Sequence, residues 1–320
     1  MTCRCRDKDC SVEPFGLRES AIAWLKERSS DGLEALTRED IEDFRFQGVK
    51  QRLQPVQTGI WKPAGFEASL SIMTVYRRPG EKRPYEDDIG PDGLIRYAWR
   101  GDDPSHPDNR GLRRAMDLQL PLIWFVGVAM NPARFQAVAP VYIVDEEAAF
   151  QRFVMAPTEE RDLLPDMVQG SVMEESLKRY INRETKVRLH QPVFRSTVLT
   201  AYENHCAVCN LAHPQLLDAA HIVPDRDDLG ISSVVNGMAL CKIHHAAFDS
   251  FFMGIRPDHT VEIREDLLAE VDGPMLKHGL QELHGSTLMA LPRARSERPR
   301  KDLLVSVGKV LVALPGAGPW

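Results

Sequence analysis

No stretch of this 320-residue sequence approaches the roughly 20 consecutive apolar residues needed to cross a bilayer, so a membrane-spanning helix is not expected. The opening residues, MTCRCRDKDC, lack the apolar centre of a secretory signal, and a soluble protein in a cytoplasmic setting is the expectation. Internal repeats and low-complexity tracts are missing too. A basic excess is also lacking: 40 Lys and Arg stand against 46 Asp and Glu, a formal charge of −6, where phosphate-binding proteins usually carry a positive footprint. That average hides local stripes. Between Lys178 and Arg195 six Lys or Arg residues face a single acid, Glu184, and Arg293, Arg295, Arg298, Arg300 and Lys301 form a second run. Either run alone reads as a solvated face. Their placement on both sides of the segment described below is what points to nucleic acid.

Cysteine is scarce, and its distribution argues against a disulfide framework. The six residues fall into two sets, Cys3, Cys5 and Cys10 near the start and Cys206, Cys209 and Cys241 far downstream. The first set offers three sulfurs and no nearby histidine, and reads as a tail with free thiols rather than a metal site. The second set is different. Cys206-x-x-Cys209 is followed, thirty-odd residues later, by Cys241-x-x-His244. Two closely spaced ligand pairs of this kind suit tetrahedral zinc, because each pair forms a knuckle and the metal ties two distant segments together. With four protein ligands and no open position, such a zinc is structural rather than catalytic.

The texture of the chain changes along its length. Residues 17–45 read as two helices, the second with Thr37 as N-cap and Asp40 three residues on. From Phe46 to about Asp145, short apolar or alternating runs such as SLSIMTVY, PLIWFVGVAM and AVAPVYIV are punctuated by Gly, Pro and Asp, which predicts a β-rich domain. Residues 146–198 then read as helical: ERDLLPDMVQ interrupted by Pro165, a longer SVMEESLKRYINRETKVRL, and a further helix after Pro192. With 320 residues, two domains and a connecting segment are expected.

Between the two cysteine pairs lie Asp218-Ala-Ala-His221-Ile-Val-Pro224 and then Asn236-Gly237-Met-Ala-Leu-Cys241-Lys-Ile-His244-His245-Ala-Ala-Phe-Asp249. Each histidine alone means little; the ordered set beside a zinc knuckle resembles the HNH, or ββα-metal, endonuclease motif in its zinc-containing form, as in McrA-like restriction enzymes. The resemblance covers about residues 198–255. It implies a phosphodiester hydrolase with His221 as general base, Asn236 orienting that imidazole or the backbone around it, and His245 as a ligand of a catalytic divalent cation. Magnesium is the expected ion, with manganese or another divalent metal as alternatives. Many such proteins place an Asp or His directly before the general base, whereas this sequence has Ala220 there. Asp218 is the candidate second ligand, although in a regular strand it shares a face with position 220 and not with His221. The bland reading of Asp218 is a strand-start residue bonded into a turn, and Asp249 reads as a structural helix residue. His244 and His245 should face different ways on a helix, one toward zinc and one toward the catalytic ion.

The β-rich region carries a second resemblance. The segment Gly48-Val-Lys-Gln-Arg-Leu-Gln-Pro-Val-Gln-Thr-Gly59-Ile, then Tyr85-Glu86-Asp87-Asp88-Ile89 and Gly93-Leu-Ile-Arg-Tyr97, resembles the SRA domain, a PUA-like β-barrel that reads modified cytosine after flipping it from duplex DNA. The resemblance implies that Tyr85 and Tyr97 sandwich the base while Asp88 accepts its exocyclic amino proton. Pro84 stands where the family has a glycine, and Ala98-Trp-Arg-Gly101 replaces a Thr-Gly-Ser-Gly run. Taken singly, either tyrosine reads better as a half-buried strand residue, and the acidic trio as a solvated turn.

The resulting expectation is an α+β protein: a helical lead-in over 1–41, an SRA-like β-barrel domain over 42–150, a helical linker over 151–197, a zinc-containing ββα-metal (HNH) nuclease core over 198–264 and an extension over 265–320. Together the two resemblances imply a modification-dependent restriction endonuclease acting on double-stranded DNA that holds 5-methylcytosine or 5-hydroxymethylcytosine. A homodimer is expected because breaking both strands needs two active sites. Two alternatives stay open: a non-catalytic reader of modified DNA, and a nuclease whose β domain binds RNA or unmodified DNA.

Overall fold

The computed structural model describes residues 16–55, 58–79, 88–89, 92–159, 174–224, 233–271 and 273–305, with the backbone alone for 88–89 and 174–178. Cys3, Cys5, Cys10, Tyr85, the side chain of Asp88 and the segment around Pro165 therefore lie outside the described residues. The chain divides into two compact units, one of residues 1–77 with 82–192 and one of residues 78–81 with 193–320. Among the described residues no helix is long and apolar enough to cross a membrane.

In the first unit the lead-in follows from local sequence rules. Helix α1 (Leu17–Arg28) buries Leu17, Ala21 and Leu25 at helical spacing. A short strand, β1 (Leu36–Thr37), runs into α2 (Arg38–Glu42), which starts in a reciprocal capping box. The Asp40 N–H donates to the Thr37 hydroxyl oxygen at 3.1 Å and the Thr37 N–H donates to the Asp40 carboxylate at 3.0 Å. Leu17, Leu25, Leu36, Ile41 and Phe44 then pack against Ile123, Phe125 and Phe135 of the main sheet.

That sheet has eight strands. After a separate small hairpin of β2 (Arg45–Phe46) and β3 (Val49–Lys50) come β4 (Ile60–Trp61), β5 (Ser71–Thr74), β6 (Asp88–Ile89), β7 (Ile95–Ala98), β8 (Leu122–Met130), β9 (Ala133–Glu147) and β10 (Arg152–Ala156). Their order is β4-β5-β8-β9-β10-β7-β6, with β1 added alongside β9. Among the described residues only β5 and β8 run parallel. Among the described residues nothing pairs β4 with β6, so the expected barrel is represented by an open sheet. Strand β8 passes so close to the chain leaving β5 that a Cβ at Gly127 would lie 2.3 Å from the Tyr76 nitrogen; only glycine fits there.

Three elements depart from the sequence expectations. Residues 146–156 complete a hairpin rather than opening a helix: Gln151 takes a left-handed conformation (φ 54°) and Phe153, Val154 and Met155 bury themselves in β10. The β-branched and aromatic content of RFVMA outweighs the helical texture that follows it. Helix α3 (Pro107–Asp117) interrupts the β-rich stretch, with Pro107 in its first turn and Asn109 fully buried. Finally, Pro192 does not break its helix. Helix α4 (Glu174–Thr185) continues through a π turn, Lys186–His190, into α5 (Gln191–Ala201). Proline removes one N–H and crowds the carbonyl four residues back, and the wider π turn just before it makes room for that loss.

The second unit is built on two short hairpins. Strands β11 (Leu217–His221) and β12 (Gly237–Cys241) pair antiparallel with Leu217 opposite Cys241 and His221 opposite Gly237. Helix α6 (Lys242–Asp249) follows immediately, then β13 (Met253–Ile255) and β14 (Val261–Ile263), α7 (Glu265–Ala269) and α8 (Pro274–Gly279). Phe194, Val198 and Leu199 of α5 share one apolar core with Leu217, Ala220, Met238, Leu240 and Phe248. Leu283, Leu288, Leu303 and Leu304 complete that core, and the Arg300 N–H donates to the Val235 carbonyl at 3.0 Å. Residues 283–304 of the extension are thus part of the packing.

Candidate active site and metal centre

The cysteine pairs meet. Cys206 and Cys209 lie in the turn after α5, Cys241 ends β12, and His244 stands on the first turn of α6. One ligand atom from each falls within 4.8 Å of all the others. The His244 Nδ1 is 3.5 Å from the Cys206 sulfur and 3.2 Å from the Cys241 sulfur. Its other ring nitrogen is held by the Gly279 carbonyl at 2.8 Å, which fixes Nε2 as the donor and leaves Nδ1 for a metal. Burial disfavours an imidazolium at His244, yet the adjacent Cys206 and Cys241 sulfurs outweigh it and raise its pKa to about 10. Three sulfurs and one nitrogen this close together could hold a metal ion, and zinc suits a donor set of this kind, with every donor supplied by the protein.

His221, the last residue of β11, is placed by a ring stack and by its pairing opposite Gly237. Its ring stacks on Phe194 with centroids 3.9 Å apart and planes at 10°. Opposite it, Gly237 has no space for a side chain, because a Cβ would sit 2.4 Å from Val198 and 3.0 Å from Phe194. Nε2 of the ring is shielded from solvent, while the residue as a whole is half-buried. Its exposed part therefore lies elsewhere than at Nε2.

Asn236 is fully buried and grips the chain just beyond His221 on both sides. Its Oδ1 accepts from the Val223 N–H at 2.9 Å and its Nδ2 donates to the Val223 carbonyl at 2.9 Å. The Asn236 backbone carbonyl accepts the Ile222 N–H, also at 2.9 Å. The turn that follows β11 is thereby clamped to the turn that precedes β12. The side chain acts on backbone, one of the two arrangements expected for it.

His245 is turned instead toward two carboxylates. Its Nδ1 lies 3.5 Å from Oδ2 of Asp218 and its Nε2 lies 3.2 Å from Oδ2 of Asp249. Asp218 is the better placed of the two carboxylates to share a cation with His245, being half-buried where Asp249 is 60% exposed. Asp218 is also answered by cations: the Lys242 ammonium donates to Oδ2 at 2.5 Å and the Arg195 guanidinium lies 3.7 Å from Oδ1. Burial works against ionising this carboxyl, but Lys242 and then His245 overcome it and hold its pKa below the ordinary 3.8. Because His245 stands between two carboxylates with one ring nitrogen toward each, the three do not converge on one point. The pair spaced to share a divalent cation is Asp218 with His245 Nδ1, while Asp249 meets the other ring nitrogen.

Several of these contacts were not anticipated from the sequence. The spacing of His245 and Asp249, one helical turn apart, does signal their meeting. Lys242, Arg195, Phe194 and the Gly279 carbonyl carry no such mark, since each reaches the site through tertiary packing. Elsewhere, Tyr97 is 7% exposed and its hydroxyl donates to the Gly59 carbonyl at 3.0 Å. The Asp88 backbone pairs with Arg96.

Residues 206–256 match the family profile described as HNH endonuclease, and this segment is an HNH endonuclease domain. No curated protein matches the chain. Among solved structures, the "Modification dependent TagI restriction endonuclease" is 18% identical over 89% of this chain and 95% of its own, with a TM-score of 0.28. The "Type IV phosphorothioation-dependent restriction endonuclease ScoMcrA" is 14% identical over 66% of this chain and 59% of its own, with a TM-score of 0.24. Both TM-scores are too low to establish a shared global fold.

Proposed function

We propose that this chain is a modification-dependent DNA endonuclease, in which the region around residues 42–150 reads 5-methylcytosine or 5-hydroxymethylcytosine and the HNH domain hydrolyses a nearby phosphodiester. The observation that carries the cutting half is the clamp of buried Asn236 on Val223, which fixes the chain beside His221, in a domain where α6 brings His245 to Asp218. A buried asparagine satisfied on both sides by the N–H and the carbonyl of one residue is a device for positioning. What it positions is the strand end that carries His221.

In this reading His221 takes the proton from the attacking water. Neutral imidazole accepts a proton near neutral pH, and with Nε2 shielded the acting nitrogen is Nδ1. Stacking on Phe194 fixes the plane of the ring. Asp218 and His245 would hold a divalent cation, magnesium or alternatively manganese, which when bound supplies charge neutralisation at the phosphoryl oxygens and the leaving oxygen. Few protein ligands are consistent with magnesium, which keeps several waters. Asp249 orients His245 through Nε2. Cys206, Cys209, Cys241 and His244 would hold a zinc ion, which when bound would tie α6 to the β11–β12 hairpin.

The reading half is supported by the spacing of Tyr85, Asp88 and Tyr97. Flipping a base costs a few kcal/mol, and stacking on an aromatic face returns roughly 1–3 kcal/mol per base. A carboxylate at Asp88 distinguishes the amino group of cytosine from the carbonyl of thymine. A homodimer in a cytoplasmic setting, with one HNH site per strand, completes the proposal.

The test is digestion, with magnesium or manganese, of otherwise identical plasmids carrying cytosine, 5-methylcytosine or 5-hydroxymethylcytosine. The intact protein should cut modified DNA alone. His221→Ala should bind without cutting, and Asp88→Ala should lose discrimination more than rate. Equal cutting of all three plasmids would remove the reading of modified cytosine and leave a nuclease; the absence of strand breaks with either metal would leave a DNA-binding module.

A further inference from the structure

Lys242 has no part in the HNH motif, yet its ammonium is the nearest partner of the carboxylate assigned to the catalytic cation. It donates to Oδ2 of Asp218 at 2.5 Å, and the His245 Nδ1 faces that same oxygen at 3.5 Å. The other oxygen, Oδ1, lies 3.7 Å from the Arg195 guanidinium. Of the two cations, Arg195 belongs to the scaffold: its side chain is 15% exposed and Nη2 donates to the Pro214 and Leu217 carbonyls, each at 2.8 Å. Lys242 does not. Its side chain is 58% exposed, it opens α6, and its ammonium ends a flexible four-carbon stem.

We propose that Lys242 is a built-in counter-cation, occupying the Asp218 carboxylate in the free protein and yielding it to the divalent ion. This rests on the reading of Asp218 and His245 as the ligands of that ion. The electrostatic logic is direct. A dication arriving while both Lys242 and Arg195 stay in place would join two positive groups around a single carboxylate, and like charges at such distances repel. Arg195 is tied to two carbonyls, so the group that moves is Lys242, whose stem and exposure let the ammonium swing into water. The ion-free site stays neutralised and folded, and the ion is bound more weakly than its ligands alone would bind it. Lys242 is a positioning residue, acting through Asp218.

The experiment is a titration of the full-length, zinc-loaded, DNA-free protein with manganese, following free manganese by electron paramagnetic resonance, so that the readout is binding rather than cleavage. Removing an exposed competing ion pair should tighten manganese binding by about two- to fivefold in Lys242→Met. Lys242→Gln provides a second neutral variant should the first fold poorly. Lys242→Arg, which keeps the charge, should bind as the unsubstituted protein does, and Asp218→Asn should bind much more weakly. Unchanged or weakened binding in the neutral variants overturns the counter-cation role. If Asp218→Asn still loses binding in that case, the ligand assignment survives; manganese binding that withstands Asp218→Asn overturns both.

Discussion

At the scale of single residues, the site depends on Asn236 more than on any histidine. A histidine can be lost with its chemistry alone, but Asn236 is fully buried and satisfies both polar groups of the Val223 peptide positions it touches. Alanine there would leave a buried N–H and a buried carbonyl unpaired, each worth roughly 1–3 kcal/mol. Asn236→Ala should therefore lower the stability of the second unit by about 2–4 kcal/mol in urea unfolding, and abolish cleavage as well. Asn236→Asp is the sharper variant. It keeps an acceptor for the Val223 N–H but sets a second oxygen against the Val223 carbonyl, so it should be destabilised comparably despite its near-identical shape. Native stability in either variant would show that the clamp holds nothing.

At the scale of elements, β7 and β10 of the first unit are joined by charge as well as by backbone pairing. Arg96 on β7 donates to both oxygens of Asp92, at 2.5 and 2.7 Å, and to Glu147 at the end of β9 at 3.1 Å. Burial opposes ionisation of both acids, but Arg96 at Asp92, and Arg152 with Arg96 at Glu147, lower their pKa values below the ordinary 3.8 and 4.5. A carboxyl with a depressed folded pKa stabilises the fold above its unfolded pKa and loses that contribution as pH falls through the folded value. The contribution of this network should thus be complete at neutral pH and drain away below about pH 4.5, the higher of the two ordinary values. Arg96→Met should cost about 1–2 kcal/mol at pH 7 and progressively less toward pH 3, read from melting curves of both proteins across that range. A cost independent of pH would mean that Arg96 contributes packing alone. Elements of this kind also mark the limit of what the sequence discloses. The capping box at Thr37 and the pairing of cysteines with His244 are local or spacing-coded, and both are visible in the letters. Strand β10, the passage of the helix through Pro192, and the gathering of Lys242, Arg195 and Phe194 at the site are decided by contacts between distant segments. No short window of sequence contains those contacts.

At the scale of the molecule, the two units differ in what holds them. The first has an eight-stranded sheet with helices α1 and α2 packed on it in a continuous apolar core. The second has two two-stranded hairpins, and isolated hairpins of that size are marginal in water. Its apolar core is real, but the turn carrying Cys206 and Cys209, the end of β12 and the start of α6 converge on one cluster of sulfur and imidazole. Structural zinc contributes its binding free energy to folding outright. Chelation should therefore melt the second unit selectively. In calorimetry of the full chain, a strong chelator should remove or sharply lower one transition and leave the other near its original temperature, and Cys209→Ser should reproduce that pattern without chelator. Restored zinc should recover the lost transition in the unsubstituted protein only. Two transitions that ignore the chelator would mean that the apolar packing of the second unit suffices, and that the four ligands lie together without stapling anything.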